Sequence, residues 1–390
     1  MQSLNGWRSS RRSWLTATAL AMLLGFVAAE LLLRVFDPVP DPPEWVPATR
    51  NQYLFFQFDP VLGWVNAPNA RGTFKRSEFE YPLEINALGM RERPVAMNPR
   101  PGQLRIAFLG DSFTWGLGVA AEDRFSDIVG RAPGVDALNF GVSGYAPIQY
   151  FLTIDRVIRF SPALVIIAIC LDNDFVDNVF YERYGYYKPY ALLGEGGQIE
   201  IRGYPIRDKR TFGFEARMHR SAVSRAIDRV YRDRFAGREQ AGLLGFSRED
   251  IYRYSGLGPE AKLRADRAIE INERLLGMIA RKLEKAGIAL MLISAPSKCE
   301  YDPDCRYGNS IVNTNATDFL AESARRLGVD YVDSVRRMDG SDFWVTDGHW
   351  RPEGHRKMAD AILEYLRSKG HGDSGLGAAV MQQAARAARR

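Results

Sequence analysis

Three polar positions, far apart in the chain, carry the side chains an acyl-transfer site needs: Ser112 in Gly110-Asp111-Ser112, and Asp347 with His349 in Asp347-Gly348-His349. A serine hydroxyl is a poor nucleophile until a base within hydrogen-bond reach takes its proton, and that base needs a third group to hold its ring. Asp347 and His349 can supply both from one loop. Only four histidines occur, so each can be weighed. His219 lies beside Arg220 and Ser221 in a helix-like stretch and reads as structural, and His371 falls in a low-complexity tail. His355 reads as a residue that caps or packs the final helix, which Pro352 opens. His349 is left as the base.

The elements that must position these groups follow a βα rhythm beginning at Arg105. Ile106 to Leu109 is a short apolar run of the kind a buried parallel strand gives, and it stops at Gly110, Asp111 and Ser112. Read alone, that is a strand followed by a capped turn; read with its partners, it puts a serine at the carboxyl end of a central strand, where open α/β sheets bind ligands. Helix is expected from Glu122 to Val129, strand from Ala137 to Phe140, helix from Pro147 to Ile158 and strand from Ala163 to Cys170. Later come helix Glu260 to Lys285, stopped by Gly287, strand Ile288 to Ile293, helix Ala316 to Leu327 and strand Val329 to Val332. The loops after three of these strands hold Ser112, Gly144 and Asn173 on one sheet edge.

Domain organisation follows from the composition shifts. Residues 1–36 form a tip and an apolar segment, 37–50 a Pro-rich linker, 51–100 a small aromatic β layer, 101–368 the main α/β domain, and 369–390 a disordered or frayed tail. Within the main domain, residues from about 175 to 260 break the rhythm with six tyrosines before Arg217, a Gly194 to Gly197 turn between strand-like runs, and a helix-like stretch from Ser221 to Phe235. Such tyrosines can stack on sugar rings or simply pack against the sheet.

Trp14 to Ala29 is almost wholly apolar and the run resumes at Leu31 to Leu33, long enough to cross a bilayer core. Arg8, Arg11 and Arg12 precede it, which favours a cytoplasmic N-terminus and a catalytic domain outside the inner membrane. An uncleaved anchor, a cleaved signal peptide and a buried soluble helix are the alternatives, in that order. The net charge of +5 is small and gathers at the two ends, so no basic face for nucleic acid is visible. In an oxidising compartment, Cys299 and Cys305 would pair in a disulfide worth roughly 2 kcal/mol, leaving Cys170 as a buried thiol. Neither cysteine has a histidine nearby in sequence, and no metal site is expected.

Gly110-Asp111-Ser112, Gly144 in Asn139-Phe-Gly-Val-Ser-Gly-Tyr, Asn173 in Asp-Asn-Asp and the Asp347 to His349 loop stand in the order of the four blocks of the SGNH/GDSL hydrolases, which the chain resembles from Arg105 to about Leu366. Within that family the chain resembles the membrane-anchored bacterial type. The resemblance implies a flavodoxin-like three-layer α/β/α sandwich with a parallel sheet. It implies Ser112 as nucleophile, His349 as base and Asp347 as the group that orients it. The backbone N–H groups of Ser112 and Gly144 and the side-chain amide of Asn173 would receive the oxyanion, and no cofactor is required. The serine differs from the α/β-hydrolase elbow, which would need glycine where Thr114 stands. One departure is visible: many members place the aspartate three residues before the histidine, whereas Asp347 is two before and position 346 is threonine. Envelope acyltransferases that resemble the family share the closer spacing.

Three functions are compatible with these residues. The first is an ester hydrolase acting on acylated or acetylated glycans, lipids or small esters. The second is an O-acyltransferase that passes the acyl group to a polysaccharide hydroxyl with the same triad. The third is a non-catalytic glycan-binding module on the same fold, which the joint presence of nucleophile, base and oxyanion donors disfavours.

Overall fold

The structure is a computed structural model that describes residues 3–36, 55–183, 186–206, 223, 254–302 and 315–368. The chain divides into two compact units, one of them Arg50–Arg207 with Gly245–Arg390, the other including the N-terminal helix. That helix, α1 (Ser3–Phe36), contains a stretch from Thr16 to Leu33 that is long and apolar enough to cross a membrane.

The larger unit begins with two antiparallel hairpins, β1 (Phe56–Asp59) with β2 (Gly63–Asn66), and β3 (Arg71–Lys75) with β4 (Glu80–Glu84). Then follow β5 (Leu104–Leu109), α2 (Ser112–Trp115), α3 (Phe125–Gly130), β6 (Val135–Asn139), α4 (Pro147–Ile158), β7 (Leu164–Cys170) and α5 (Asp174–Asp177). Two further hairpins pair β8 (Glu182–Arg183) with β9 (Tyr186–Tyr187), and β10 (Tyr190–Leu193) with β11 (Ile199–Arg202). The remainder is α6 (Pro259–Lys285), β12 (Ala289–Ala295), α7 (Asn315–Leu327), β13 (Asp330–Val332) and α8 (Pro352–Leu366).

Five strands form one parallel sheet in the order β13-β12-β7-β5-β6. All residues of β5 and β7 are buried, as a strand covered on both faces requires. Helices α3 and α8 pack over the face that carries Ile106, Phe108, Ile166 and Ile293. Helices α4 and α6 pack on each other and bury Ile154, Leu275 and Ile279 over the opposite face. This is the three-layer α/β/α sandwich the sequence implies. From β5 the chain runs to β6 on one side and then crosses to β7 on the other. The crevice at that reversal, above the carboxyl end of β5, is the place such sheets reserve for ligands.

Local chemistry explains the boundaries. Pro147, Pro259 and Pro352 each open a helix, where a missing N–H costs nothing. The expected helix from Glu122 to Val129 is instead a single turn, Ala121–Asp123, followed by α3. The break falls at Arg124, whose backbone is extended because its buried guanidinium is drawn onto Asp127, Glu92 and the Arg91 carbonyl. The expected stretch from Ser221 to Phe235, Val223 apart, and the whole tail 369–390 lie outside the described residues.

The two N-terminal hairpins are welded to the sheet unit. Phe55, Phe74, Phe79, Tyr81 and Leu83 form one apolar cluster with Trp115 and Leu117 of the segment that starts at α2. The Trp115 indole donates to Asn66 Oδ1 at 3.0 Å, and Trp64 donates to the Ser143 carbonyl at 2.9 Å.

Two substitutions test this framework. Arg105, buried at the start of β5, bonds Asp136 and the carbonyls of Ala96, Met97, Asn98 and Phe160. Arg105→Met strands those acceptors, and denaturant unfolding should show a loss of about 3–5 kcal/mol. At Gly110 a Cβ would lie 2.0 Å from Thr114 Oγ1 and 3.0 Å from the Ala168 carbonyl. Gly110→Ala should therefore cost about 2 kcal/mol in the same measurement.

Candidate active site

Strand β5 ends at Leu109, and the next three residues turn the chain into α2. Asp111 caps that helix, its Oδ1 accepting from the Phe113 N–H at 2.9 Å, and Ser112 becomes its first residue. Ser112 is buried but for 5 % of its surface. Its hydroxyl lies 2.8 Å from Nε2 of His349, which arrives from 237 positions further along the chain. On the other side of the ring, His349 Nδ1 bonds Asp347 Oδ1. In the tautomer whose Nδ1–H donates to the carboxylate, Nε2 presents a lone pair to the serine hydroxyl. The structure thus brings Ser112, His349 and Asp347 into one hydrogen-bonded line.

The two-residue spacing between Asp347 and His349 works because Gly348 adopts φ +79°, a left-handed turn that folds the carboxylate back toward the ring. The loop is closed at its base by the Trp344 N–H bonding the His349 carbonyl at 2.9 Å and by a bridge between Phe343 and Trp350. Phe113 stacks obliquely on the imidazole, with centroids 4.8 Å apart. Asp347 is almost covered. Burial pushes its carboxyl up, but His349 and the Arg76 guanidinium more than offset that and hold it at about 2.

Gly144 lies in the loop between β6 and α4. The Val142 N–H bonds the Gly110 carbonyl at 3.2 Å, so this loop is tied to the serine turn. Tyr145 donates its hydroxyl to the Trp64 carbonyl at 2.6 Å, fixing the next residue against the β1–β2 hairpin. Asn173, after β7, is buried, and its side-chain amide donates to Asp174 Oδ1 at 3.2 Å and Asp177 Oδ2 at 3.0 Å. Burial, reinforced by neighbouring Asp111, pushes the Asp174 carboxyl well above the usual range. Arg183, from the β8–β9 hairpin, forms an ion pair with Asp177.

Other candidates fall away from the serine. His355 is buried in α8 with its Nδ1 accepting from the Phe125 N–H at 3.4 Å and its ring against Phe125 and Trp350. Burial and the nearby Arg124 and Arg91 push it far below the usual histidine range, so it packs as a neutral ring. His219 and His371 lie outside the described residues. Cys170 is a free, buried thiol and Cys299 is held in a disulfide; Cys305, its expected partner, lies outside the described residues. Among the described residues, no group of three or more His, Cys, Asp or Glu side chains is placed to hold a metal.

Sequence reasoning passes over four residues of this neighbourhood: Arg76 and Glu78 beside the Asp347 loop, and Asp177 and Arg183 behind Asn173. Charged side chains on short hairpins and helix turns look like any solvated surface, and no spacing rule links Arg76 to a carboxylate 271 positions away.

No curated protein matches the chain. Among solved structures it is similar to a GDSL-like lipase from Bacteroides thetaiotaomicron, with 14% identity over 68% of this chain and 89% of that one, at a TM-score of 0.35. It is also similar to a member of the lipolytic G-D-S-L family from Veillonella parvula, with 12% identity over 67% and 96% at a TM-score of 0.35. An acetylxylan esterase from Geobacillus stearothermophilus shows 13% identity over 68% and 94% at a TM-score of 0.36. Residues 108–357 match the GDSL-like lipase/acylhydrolase family, a span that runs from inside β5 to inside α8 and takes in both the serine turn and the Asp347–His349 loop: the chain belongs to that family.

Proposed function

We propose that the protein is a serine ester hydrolase that cleaves acyl or acetyl esters through an acyl-enzyme. The observation that carries this reading is the 2.8 Å approach of Ser112 Oγ to His349 Nε2, with the far side of the ring on Asp347. In this reading His349 takes the serine proton as Oγ bonds to the ester carbonyl carbon. The tetrahedral oxyanion is received by the N–H groups of Ser112 and Gly144 and by the Asn173 amide, which turns from its carboxylate partners as charge develops. The intermediate collapses when the alkoxide leaves and accepts the proton from His349. Water then attacks the acyl-enzyme and gives its proton to His349; the second tetrahedral intermediate expels Ser112 Oγ, which takes that proton back, and the acid is released. Asp347 remains ionised throughout and holds the imidazole.

The substrate proposed is an ester of an envelope glycan or lipid, with the catalytic unit outside the inner membrane and α1 as a single-pass anchor. The apolar stretch Thr16–Leu33 and the arginines before it support that placement. Tyr181 and Tyr187 in the insertion stack on one another, with centroids 6.0 Å apart, which supports packing over a sugar platform for that pair.

The chemistry is tested by variants and by products. Ser112→Ala should abolish turnover of a p-nitrophenyl ester and covalent labelling by a fluorophosphonate, with circular dichroism unchanged. Asn173→Ala should lower kcat by ~100-fold; a near-native rate would remove Asn173 from the oxyanion site. Product analysis with an acetyl ester, with and without an oligosaccharide, decides between water and sugar as acceptor. Free acetate in both cases is expected, and acetylated oligosaccharide would make the protein an acyltransferase with the same triad.

A further inference from the structure

The turn joining β3 to β4 reaches the loop that carries Asp347. Glu78, on that turn, accepts from the N–H groups of Val345 at 2.8 Å, Thr346 at 2.7 Å and Asp347 at 3.1 Å, and from the Thr346 hydroxyl. Burial opposes its ionisation, yet these donors together outweigh it and hold the Glu78 carboxyl below the usual range. Two positions away, Arg76 pairs through Nη1 with Asp347 Oδ2, the oxygen that His349 does not use. Phe79 of the same turn lies against Trp344, with centroids 5.3 Å apart, and the Lys298 ammonium holds the Val345 carbonyl from another side at 2.8 Å. Both Arg76 and Glu78 stand outside residues 108–357, the segment that matches the family.

We propose that Arg76 and Glu78 are positioning residues of the active site, so that the N-terminal β layer is part of the catalytic unit. This rests on the reading of Ser112, His349 and Asp347 given above. A carboxylate two residues from its histidine, on a loop turned by a glycine, has one oxygen committed to the ring and one oxygen free to swing. Glu78 fixes the backbone of that loop by satisfying three successive N–H groups. Arg76 takes the second oxygen, and a carboxylate held by both oxygens cannot rotate away from the imidazole. The line from the serine therefore continues through His349 and Asp347 to a cation supplied by a hairpin at the other end of the unit. Arg76 is 27 % exposed at its side chain while Asp347 is 4 % exposed, so the guanidinium closes the carboxylate off from water.

The test uses the full chain in detergent, with p-nitrophenyl acetate turnover and fluorophosphonate labelling as readouts. Arg76→Ala should lower kcat and the labelling rate by ~10- to 100-fold with KM changed by less than about threefold. Arg76→Lys should recover part of the loss. Guanidinium ion at about 50 mM should raise the rate of Arg76→Ala severalfold and leave native enzyme and Ser112→Ala unchanged, because the ion replaces the missing partner of Asp347. Glu78→Ala should lower kcat in the same way without guanidinium rescue. Native-like kcat in Arg76→Ala overturns the proposal. So does a loss that neither lysine nor guanidinium recovers, since that marks a structural role alone. If Arg76→Ala fails to fold, Arg76→Gln decides: a kcat fall at unchanged melting temperature supports positioning, and native kcat refutes it. Turnover retained by Ser112→Ala would instead refute the underlying site reading, whatever Arg76 does.

Discussion

A serine hydroxyl gains its reactivity from a base held at hydrogen-bond distance, and in this chain the hydroxyl and the imidazole are 237 positions apart. Everything else in the larger unit can be understood as what keeps that distance fixed. The buried strand β5 sets the serine, since its residues have no freedom to shift within a sheet covered on both faces. The turn after it is equally constrained, because Thr114 and the Ala168 carbonyl fill the space around Gly110. On the other side, the Asp347–His349 loop has no regular structure of its own and is fixed by neighbours. Trp350 anchors one end through its indole N–H to the Pro296 carbonyl, and the β3–β4 turn holds the other. Rigid strand and braced loop meet at one hydrogen bond.

Electrostatics around that bond are arranged in two opposite ways. Asp347 is surrounded by donors and a cation, so its charge persists despite burial. Asp111 and Asp174 beneath the serine are buried close to each other, and burial raises both. Tyr150 and the Cys170 N–H bond Asp174, at 3.1 Å and 3.0 Å, and keep it oriented. Burial without a cation in hydrogen-bond contact raises a carboxyl, and burial against a guanidinium and an imidazole lowers it, so the two sides of the serine differ in their electrostatics.

Much of the fold is legible in the sequence because its signals are local. Helix α4 begins at Pro147 and ends at Ile158 as expected, and α6 ends just before Gly287, whose φ of +67° stops it. Buried parallel strands announce themselves as apolar runs bounded by polar turns, which is why β5, β7 and β12 are visible. What is hidden depends on partners far away. Arg124 interrupts a helix-like pattern because Asp127 and Glu92 bury it. Asn173 reads as a free donor, whereas its amide is engaged by Asp174 and Asp177. Arg76 and Glu78 read as surface charges on a short hairpin, and only the folded chain brings them to the Asp347 loop.

The bond between Arg76 and Asp347 closes a loop of 271 residues. A ribosome must therefore have passed Asp347 before the hairpin and the histidine loop can meet. The entropic cost of closing so long a loop is only about 1.2 kcal/mol more than for one a quarter its length. What the long separation governs is timing: Ser112 emerges early and stays without its His349 partner until the residues before α8 have been synthesised and folded back. A chain still growing toward Asp347 lacks this contact, whatever else of the sheet has already formed.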